Sequence, residues 1–334
     1  MHPAILGILT IALGVGVCIG YFFLSNLFLD KVLFPPRGPN AGRNINRANL
    51  IRPWLFLAPA LFVLGLYLAY PVFATLWLSV TERTPSGNVW VGFENYAQML
   101  GEDKFWEAMR NNLLWLIVVP AASTGFGLLA AQLTDRIGWG NIAKSLIFMP
   151  MAISFVGAAV IWKLIYDTRP EGSDQIGLLN AIYLFLGGDA PQTWLTLPFW
   201  NNFFLMAVLI WIQTGFAMVI LSAALRGIPE ETVEAAIVDG ANPFQVFFKI
   251  KVPQIMGTIV VVWTTITIIV LKVFDIVFAM TNGQWETQVL ANYMYDKMFR
   301  ANDWGVGSAS AMIIMLLVTP ILVWNIRNAR KEMR

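Results

Sequence analysis

Two ionisable side chains, Lys272 and Asp275, stand inside the long apolar run 255–280. At a spacing of three they share a helix face. A charge near the middle of a bilayer costs about 2.5–3.5 kcal/mol on insertion scales, so each is expected to face protein or a watery cavity. Two readings stay open. Either the pair lines a path and Asp275 accepts hydroxyl groups, or the two charges neutralise each other near an interface and fix the helix. A second polar group lies in the run 199–225, where Gln213, Thr214, Gly215 and Phe216 are consecutive. An amide beside a glycine and an aromatic ring suits a sugar, with hydroxyls on the amide and an apolar sugar face on Phe216. The competing reading of Gln213 is an interhelical hydrogen bond, worth about 0.6–2 kcal/mol.

The inventory excludes most other chemistry. There is one cysteine, Cys18, and one histidine, His2. No intrachain disulfide is possible, and neither a zinc cluster nor a histidine-dependent triad can be assembled. No catalytic residue and no metal ligand is expected. No G-x-x-x-x-G-K-[ST] occurs, so the chain does not cradle ATP phosphates by a P-loop and is expected to bind no cofactor itself. A net charge of +2 gives no footprint for nucleic acid.

The elements that must position these residues are membrane spans. The chain is 57% hydrophobic and 13% charged, against roughly 25% charged in soluble domains. Long apolar runs make it an all-α polytopic membrane protein. The expected spans are Pro3–Leu29, Pro53–Val80, Asn111–Leu133, Ile142–Tyr166, Phe199–Leu225, Ile255–Met280 and Val306–Ile326. The first competes with a signal peptide. No Lys or Arg precedes it, it is long for such a segment, and no A-x-A-like site follows, so it is expected to be retained. The expected division is therefore an extra helix at 1–30, a basic linker at 31–52, a six-helix domain at 53–327 and a tail at 328–334. The linker carries Lys31, Arg37, Arg43, Arg47 and Arg52. Lysines and arginines are twice as frequent in one set of connecting segments (fourteen) as in the other (seven). That bias puts the N-terminus outside, and the C-terminus and the segment after residue 225 in the cytoplasm. Trp77, Trp90, Trp106, Trp115, Trp162, Trp194, Trp200, Trp285 and Trp304 fall near outer span ends and read as interface anchors.

That cytoplasmic segment, Leu225–Gln254, organises the rest. Pro229 is expected at the first position of a helix, followed by Glu230, Glu231 and Glu234 near the positive end of its dipole. Ala235, Ala236 and Asp239 lead to a left-handed stop at Gly240. Asn242 caps a second short helix with Pro243 first, then Phe244, Phe247, Phe248, Lys249, Ile250 and Lys251, ended by Pro253. Each helix is too short to persist alone. The phenylalanines fit a groove on another protein, or pack back on the bundle as an ordinary loop.

Glu234-Ala235-Ala236, three residues, Gly240, nine residues, Ile250, one residue and Val252-Pro253 is similar to the "EAA" loop of binding-protein-dependent ATP-binding-cassette permeases. Val252 stands where leucine is usual. Val91-Gly92-Phe93-Glu94-Asn95-Tyr96, Thr281-Asn282-Gly283 and the block from Asn292 through Gly307-Ser308-Ala309-Ser310-Ala311 resemble sugar-type members. On residues alone, the first of these reads as a capped helix start. The likeness runs from about Pro53 to the C-terminus, and by its whole pattern is most similar to alpha-glucoside permeases. It implies a six-helix type I importer core in a bacterial inner membrane. It also implies a second permease subunit in a heterodimer, a pair of ATPase subunits carrying ATP and Mg, and an external sugar-binding protein. Glu234, Ala235, Ala236, Asp239, Gly240, Phe244, Phe247, Ile250 and Pro253 would grip the ATPase. Gln213 and Phe216 fall where maltose-type permeases contact sugar, whereas Ile266, Ile269, Val270 and Val273 are apolar where polar contacts are expected. The alternative is an ion-coupled secondary transporter with a proton relay through Lys272 and Asp275; a passive channel has no ring-forming polar repeat behind it.

Overall fold

The computed structural model describes residues 3–135 and 137–332. His2, and Arg136 and Arg334 among the fourteen lysines and arginines counted above, lie outside the described residues. The chain is helical almost throughout. Its elements are α1 (Pro3–Leu33), α2 (Ala41–Ser79), a hairpin of β1 (Thr81–Thr84) and β2 (Gly87–Trp90), α3 (Glu94–Leu100) and α4 (Asp103–Thr134). Then come α5 (Gly140–Ala152), α6 (Phe155–Ile165), α7 (Leu178–Phe185), α8 (Trp200–Arg226), α9 (Glu230–Val238), α10 (Pro243–Gln254) and α11 (Met256–Leu271). The last are α12 (Asp275–Met280), α13 (290–300) and α14 (Trp304–Glu332). Five helices are long and apolar enough to cross a membrane, or up to seven if each of two bent pairs is one span. The expected all-α membrane fold therefore stands.

Two compact units divide the chain, Met1–Ala74 and Thr75–Arg334. In the first, the polar segment expected as a linker is already helical from Ala41, leaving only a short turn after Leu33. Tyr21 Oη donates to Leu55 O at 2.9 Å and Phe22 stacks on Phe56 at 5.0 Å, so α1 lies along α2. Nearly every large apolar side chain here is exposed, as lipid-facing helices require.

In the second unit, α4 and α8 form the spine. A Cβ on Gly127 would collide with the Ala217 methyl and stand 2.9 Å from Met218 N. Glycine thus lets the two backbones touch, the common device where helices associate without water to drive them. Trp115 is fully buried and donates to Asn202 at 3.4 Å, so it is a core residue and not the interface anchor expected. Gly215 plays the same role as Gly127 on another face of α8. A Cβ there would be 2.5 Å from Ile147 O on α5.

Two expected spans are broken. The run 142–166 bends by 106° between α5 and α6. Pro150 closes α5 in a 3-10 turn, Ile153 is extended, and Ser154 Oγ accepts Gly157 N at 3.1 Å to start α6 afresh. The run 255–280 stops at Leu271 and restarts at Asp275. Irregular backbone at membrane depth is tolerated only inside protein or beside a cavity.

The loop between α12 and α13 is wound left-handed at Asn282, Gly283, Trp285 and Glu286. Asn111 of α4 and two asparagines at the start of α8 hold it by its main chain. Asn111 donates to Glu286 O and Gln288 O, both at 2.8 Å. Asn201 donates to Trp285 O at 2.5 Å and Asn202 to Glu286 O at 3.3 Å. Nearby, Glu102 accepts Lys297 at 2.5 Å and the Tyr293 hydroxyl at 2.9 Å. Burial first, then the Glu102 carboxylate, pushes the Tyr293 hydroxyl pKa up. The Asn95-Tyr96 pair does not cap a helix. Asn95 donates to Ser79 O and Thr81 O at 3.0 Å each, and Tyr96 to Ser79 Oγ at 2.8 Å, pinning the end of α2 to β1.

Candidate functional site

Between α8 and α11 the chain leaves the bundle as an elbow built by local capping chemistry. Pro229 is the residue before α9, one position earlier than expected, because its ψ of 132° is extended. Glu230 and Glu231 occupy the first turn. At the far end Asp239 is the C-cap and Gly240 has φ +82°. Gly240 N donates to Ile237 O and Ala241 N to Ala236 O, both at 3.0 Å. That pair of bonds is the Schellman arrangement, which uses up the last carbonyls of α9. Two residues on, Asn242 Oδ1 accepts Gln245 N and Gln245 Oε1 accepts Asn242 N, each at 2.9 Å. This reciprocal box fixes the start of α10. Gln245 was not singled out from the sequence, although N-x-x-Q is the signal for it.

The two helices pack together, and Ala236 on α9 and Val246 on α10 are both buried. Ala235, Glu234 and Asp239 stay exposed, as do Gly240 and Pro253, while Phe247 and Ile250 are half-buried. Phe247 meets Phe248 edge-on at 4.9 Å. Ile237, Val238, Phe244 and Phe248 are 58%, 86%, 77% and 62% exposed. Phe244 and Phe248 therefore do not pack back on the bundle. The elbow presents an apolar tip that this chain leaves uncovered.

Behind the elbow lies a polar cavity of about 410 Å³, lined among others by Asp135, Arg226, Glu230, Glu234 and Lys251. Asp135 sits at the C-cap of α4, where the helix dipole disfavours an anion, and it draws cations from two other helices. Lys144 of α5 pairs with it and donates to Ser222 Oγ of α8 at 2.8 Å. Ser222 donates to the same Asp135 oxygen at 2.9 Å, and Arg226 stands 4.0 Å away. The ends of α4, α5 and α8 are thereby tied together beside the elbow. None of Asp135, Lys144 and Ser222 had a sequence signal beyond being polar near a span end.

The polar candidates within the spans are not gathered at one point. Asp275 heads α12, while Lys272 caps α11 with φ −111° and is exposed. The backbone break removes the shared helix face expected for them, and no ion pair joins them among the described residues. Gln213 is 3% exposed and its Oε1 has no hydrogen-bond partner; Phe216 is partly buried against the core. Trp115 with Asn202, Gly127 with Ala217 and Asp135 with Ser222 show α4 and α8 running parallel. By that register Gln213 is level with Ser123 and Thr124, whose buried hydroxyl oxygens also lack partners. These two belong with Gln213 and were not anticipated. Ile266 and Val270 of α11, and Val273 in the break after it, are buried in the core, so this stretch adds apolar packing there.

The chain was compared with known proteins. The family model described as "Binding-protein-dependent transport system inner membrane component" matches residues 123–329, which include the last part of α4, all of α8, the broken helices and the elbow. The alpha-glucoside transport system permease protein AglF of Rhizobium meliloti is 66% identical over 99% of both chains. The osmoprotective compounds uptake permease protein GgtC of Synechocystis is 48% identical over 83% of this chain and 99% of its own. Among solved structures, a chain of a bacterial ABC transporter involved in the import of the acidic polysaccharide alginate superposes with a TM-score of 0.72. It covers 86% of this chain and 98% of that one at 21% identity, a likeness of fold. With the matched region running through the elbow and identity this high end to end, the chain belongs to the inner-membrane components of binding-protein-dependent transport systems, as a transport permease subunit.

Proposed function

We propose that the chain is one of two unlike membrane subunits of a bacterial ATP-driven importer for oligosaccharides of the alpha-glucoside class. An external sugar-binding protein would deliver the sugar, and a pair of ATPase subunits holding ATP and Mg would power its passage. The chain itself does no chemistry. The observation that carries this reading is the elbow, a rigid, doubly capped corner with an apolar tip uncovered by its own chain. The lysine and arginine bias supports a cytoplasmic elbow and C-terminus and an external N-terminus. Glu234, Ala235, Asp239, Gly240, Phe244, Phe247, Ile250 and Pro253 would form or shape the face gripped by the ATPase, and Ala236 would hold α9 on α10. ATP-driven closure would push the elbow, and the Asp135–Lys144–Ser222 tie would pass that push to α4 and α5.

Support for an alpha-glucoside comes from the 66% identity with AglF. Gln213, with Ser123 and Thr124, offers unpaired polar atoms at one level of the spine, and Phe216 is an aromatic neighbour. A proton relay through Lys272 and Asp275 gains nothing from a break between them.

The test is a single cysteine at Val238, cross-linked in native membranes, with uptake of a panel of glucosides measured in parallel. Capture of a nucleotide-hydrolysing subunit and loss of uptake in Glu234→Lys, with the chain still in the membrane, are expected. No such capture, together with undiminished uptake in Glu234→Lys, refutes the reading.

A further inference from the structure

The unit Met1–Ala74 holds none of the residues given a role in transport above, yet it carries an unfilled groove and a set of unpaired charges. Between α1 and α2, beside the Tyr21–Leu55 contact, lies an open cavity of about 490 Å³. Gly14, Val17, Cys18, Ala58, Pro59 and Phe62 are among its walls. The small residues Gly14, Ala58 and Pro59 leave the space, and the lining offers almost nothing to hydrogen-bond. Such a slot suits a hydrocarbon chain.

At one end of the same hairpin the charge is lopsided. Asp30 is the one acidic residue in 1–74, and Arg52 takes it at 2.7 Å. Lys31, Arg37, Arg43 and Arg47 are exposed, and none has an ion-pair partner among the described residues. Arg43 and Arg47 are four apart on α2 and so share a face. The turn carrying Arg37 is held in place, because Asn44 Nδ2 donates to Pro35 O at 3.0 Å. Spacing joins the two features. At 1.5 Å per residue, Lys31 to Tyr21 and Arg47 to Ala58 each span about 15 Å. That is about half of the ~30 Å hydrocarbon core, the depth of one leaflet.

We propose that this hairpin binds one anionic phospholipid, its phosphate on Arg43 and Arg47 with Lys31 and Arg37 beside them, and an acyl chain lying down to the groove. The charge complementarity selects the head, and the groove selects a lipid over a soluble phosphate. Each basic residue near an anionic surface raises affinity about five-fold, so a zwitterionic lipid with the same chains is a poor substitute. The competing role for these cations is orientation of the chain during insertion, which leaves no bound lipid behind.

The experiment uses the full-length chain, with its co-purifying subunits, in detergent and native mass spectrometry. The probes are phosphatidylglycerol, phosphatidylcholine of the same acyl chains, and glycerol phosphate. Retention of phosphatidylglycerol at least about five-fold above phosphatidylcholine is expected, without competition from glycerol phosphate. Arg43→Gln with Arg47→Gln should bring retention down to the phosphatidylcholine level while uptake persists. Ala58→Trp should do the same by filling the groove. Equal retention of the two lipids by the unaltered chain overturns the proposal without needing any variant to fold. Undiminished phosphatidylglycerol in the double arginine variant, or displacement by glycerol phosphate, also overturns it.

Discussion

Replacing Gly240 with alanine asks the corner to keep φ +82° while carrying a Cβ. No atom lies within 4 Å of where that Cβ would stand, so collision contributes nothing. The cost is the left-handed backbone alone, about 1–2 kcal/mol for an ordinary L-residue. A change of that size moves the balance between formed and frayed corner by a factor of about 5–30. Asparagine tolerates the same backbone region and should lose less. Aspartate adds a charge beside the apolar tip and should lose more. The helices on either side, α8 and α11, are anchored by their own buried faces, so the amount of chain in the membrane should not change. The assay is sugar uptake per inserted chain, with co-purification of the ATPase from the same membranes. Both should fall in the order Gly, Asn, Ala, Asp. Uptake and ATPase capture equal to the unaltered chain in both Gly240→Ala and Gly240→Asp would show that the shape of the corner is not what the partner grips.

Asn242→Ala removes the Oδ1 acceptor of Gln245 N, while the backbone N–H of residue 242 can still donate to Gln245 Oε1; the loss is about 1 kcal/mol, and hydrogen exchange should show the first amides of α10 opening about five-fold more often. Gly127→Val drives a branched side chain into Ala217 and the α8 backbone, so thermal unfolding in detergent should drop by several degrees. Gly125→Ala on the same helix, with open space around it, should not move it. Lys144→Met leaves Asp135 at a helix C-terminus with Arg226 4.0 Å away, and loses a charged hydrogen bond to Ser222. The expected loss is about 1.5–3 kcal/mol before discounting for partial exposure, and Asp135→Asn, which keeps an acceptor there, should be milder in the same unfolding assay.

The elbow was legible because its shape is set by neighbours in sequence. Gly240, Asn242 and Pro243 act on backbone groups within four residues, and such caps read directly. The break at Ile153 also had its signals, Pro150 and Ser154, but an apolar run of span length hid them. The break at Lys272–Phe274 has no glycine or proline at all; there the surrounding packing overrides helix propensity. What sequence reasoning missed depends on distant partners. Asn111, Asn112, Asn201 and Asn202 read as polar ends of apolar runs, and only the folded chain brings a loop some 80 to 180 residues away onto them. Gln213 was picked out as an amide in an apolar helix, whereas Ser123 and Thr124 join it only through the parallel register of α4 and α8.

The asparagine grip on the 281–289 loop holds carbonyls and leaves side chains alone. Its outline is therefore indifferent to what residues 285 and 286 carry, so long as they accept left-handed backbone. Trp285 and Glu286 project from a frame that keeps its form when they are exchanged. The mouth of the bundle farthest from the elbow can thus acquire new contacts one substitution at a time, with the spine below it undisturbed.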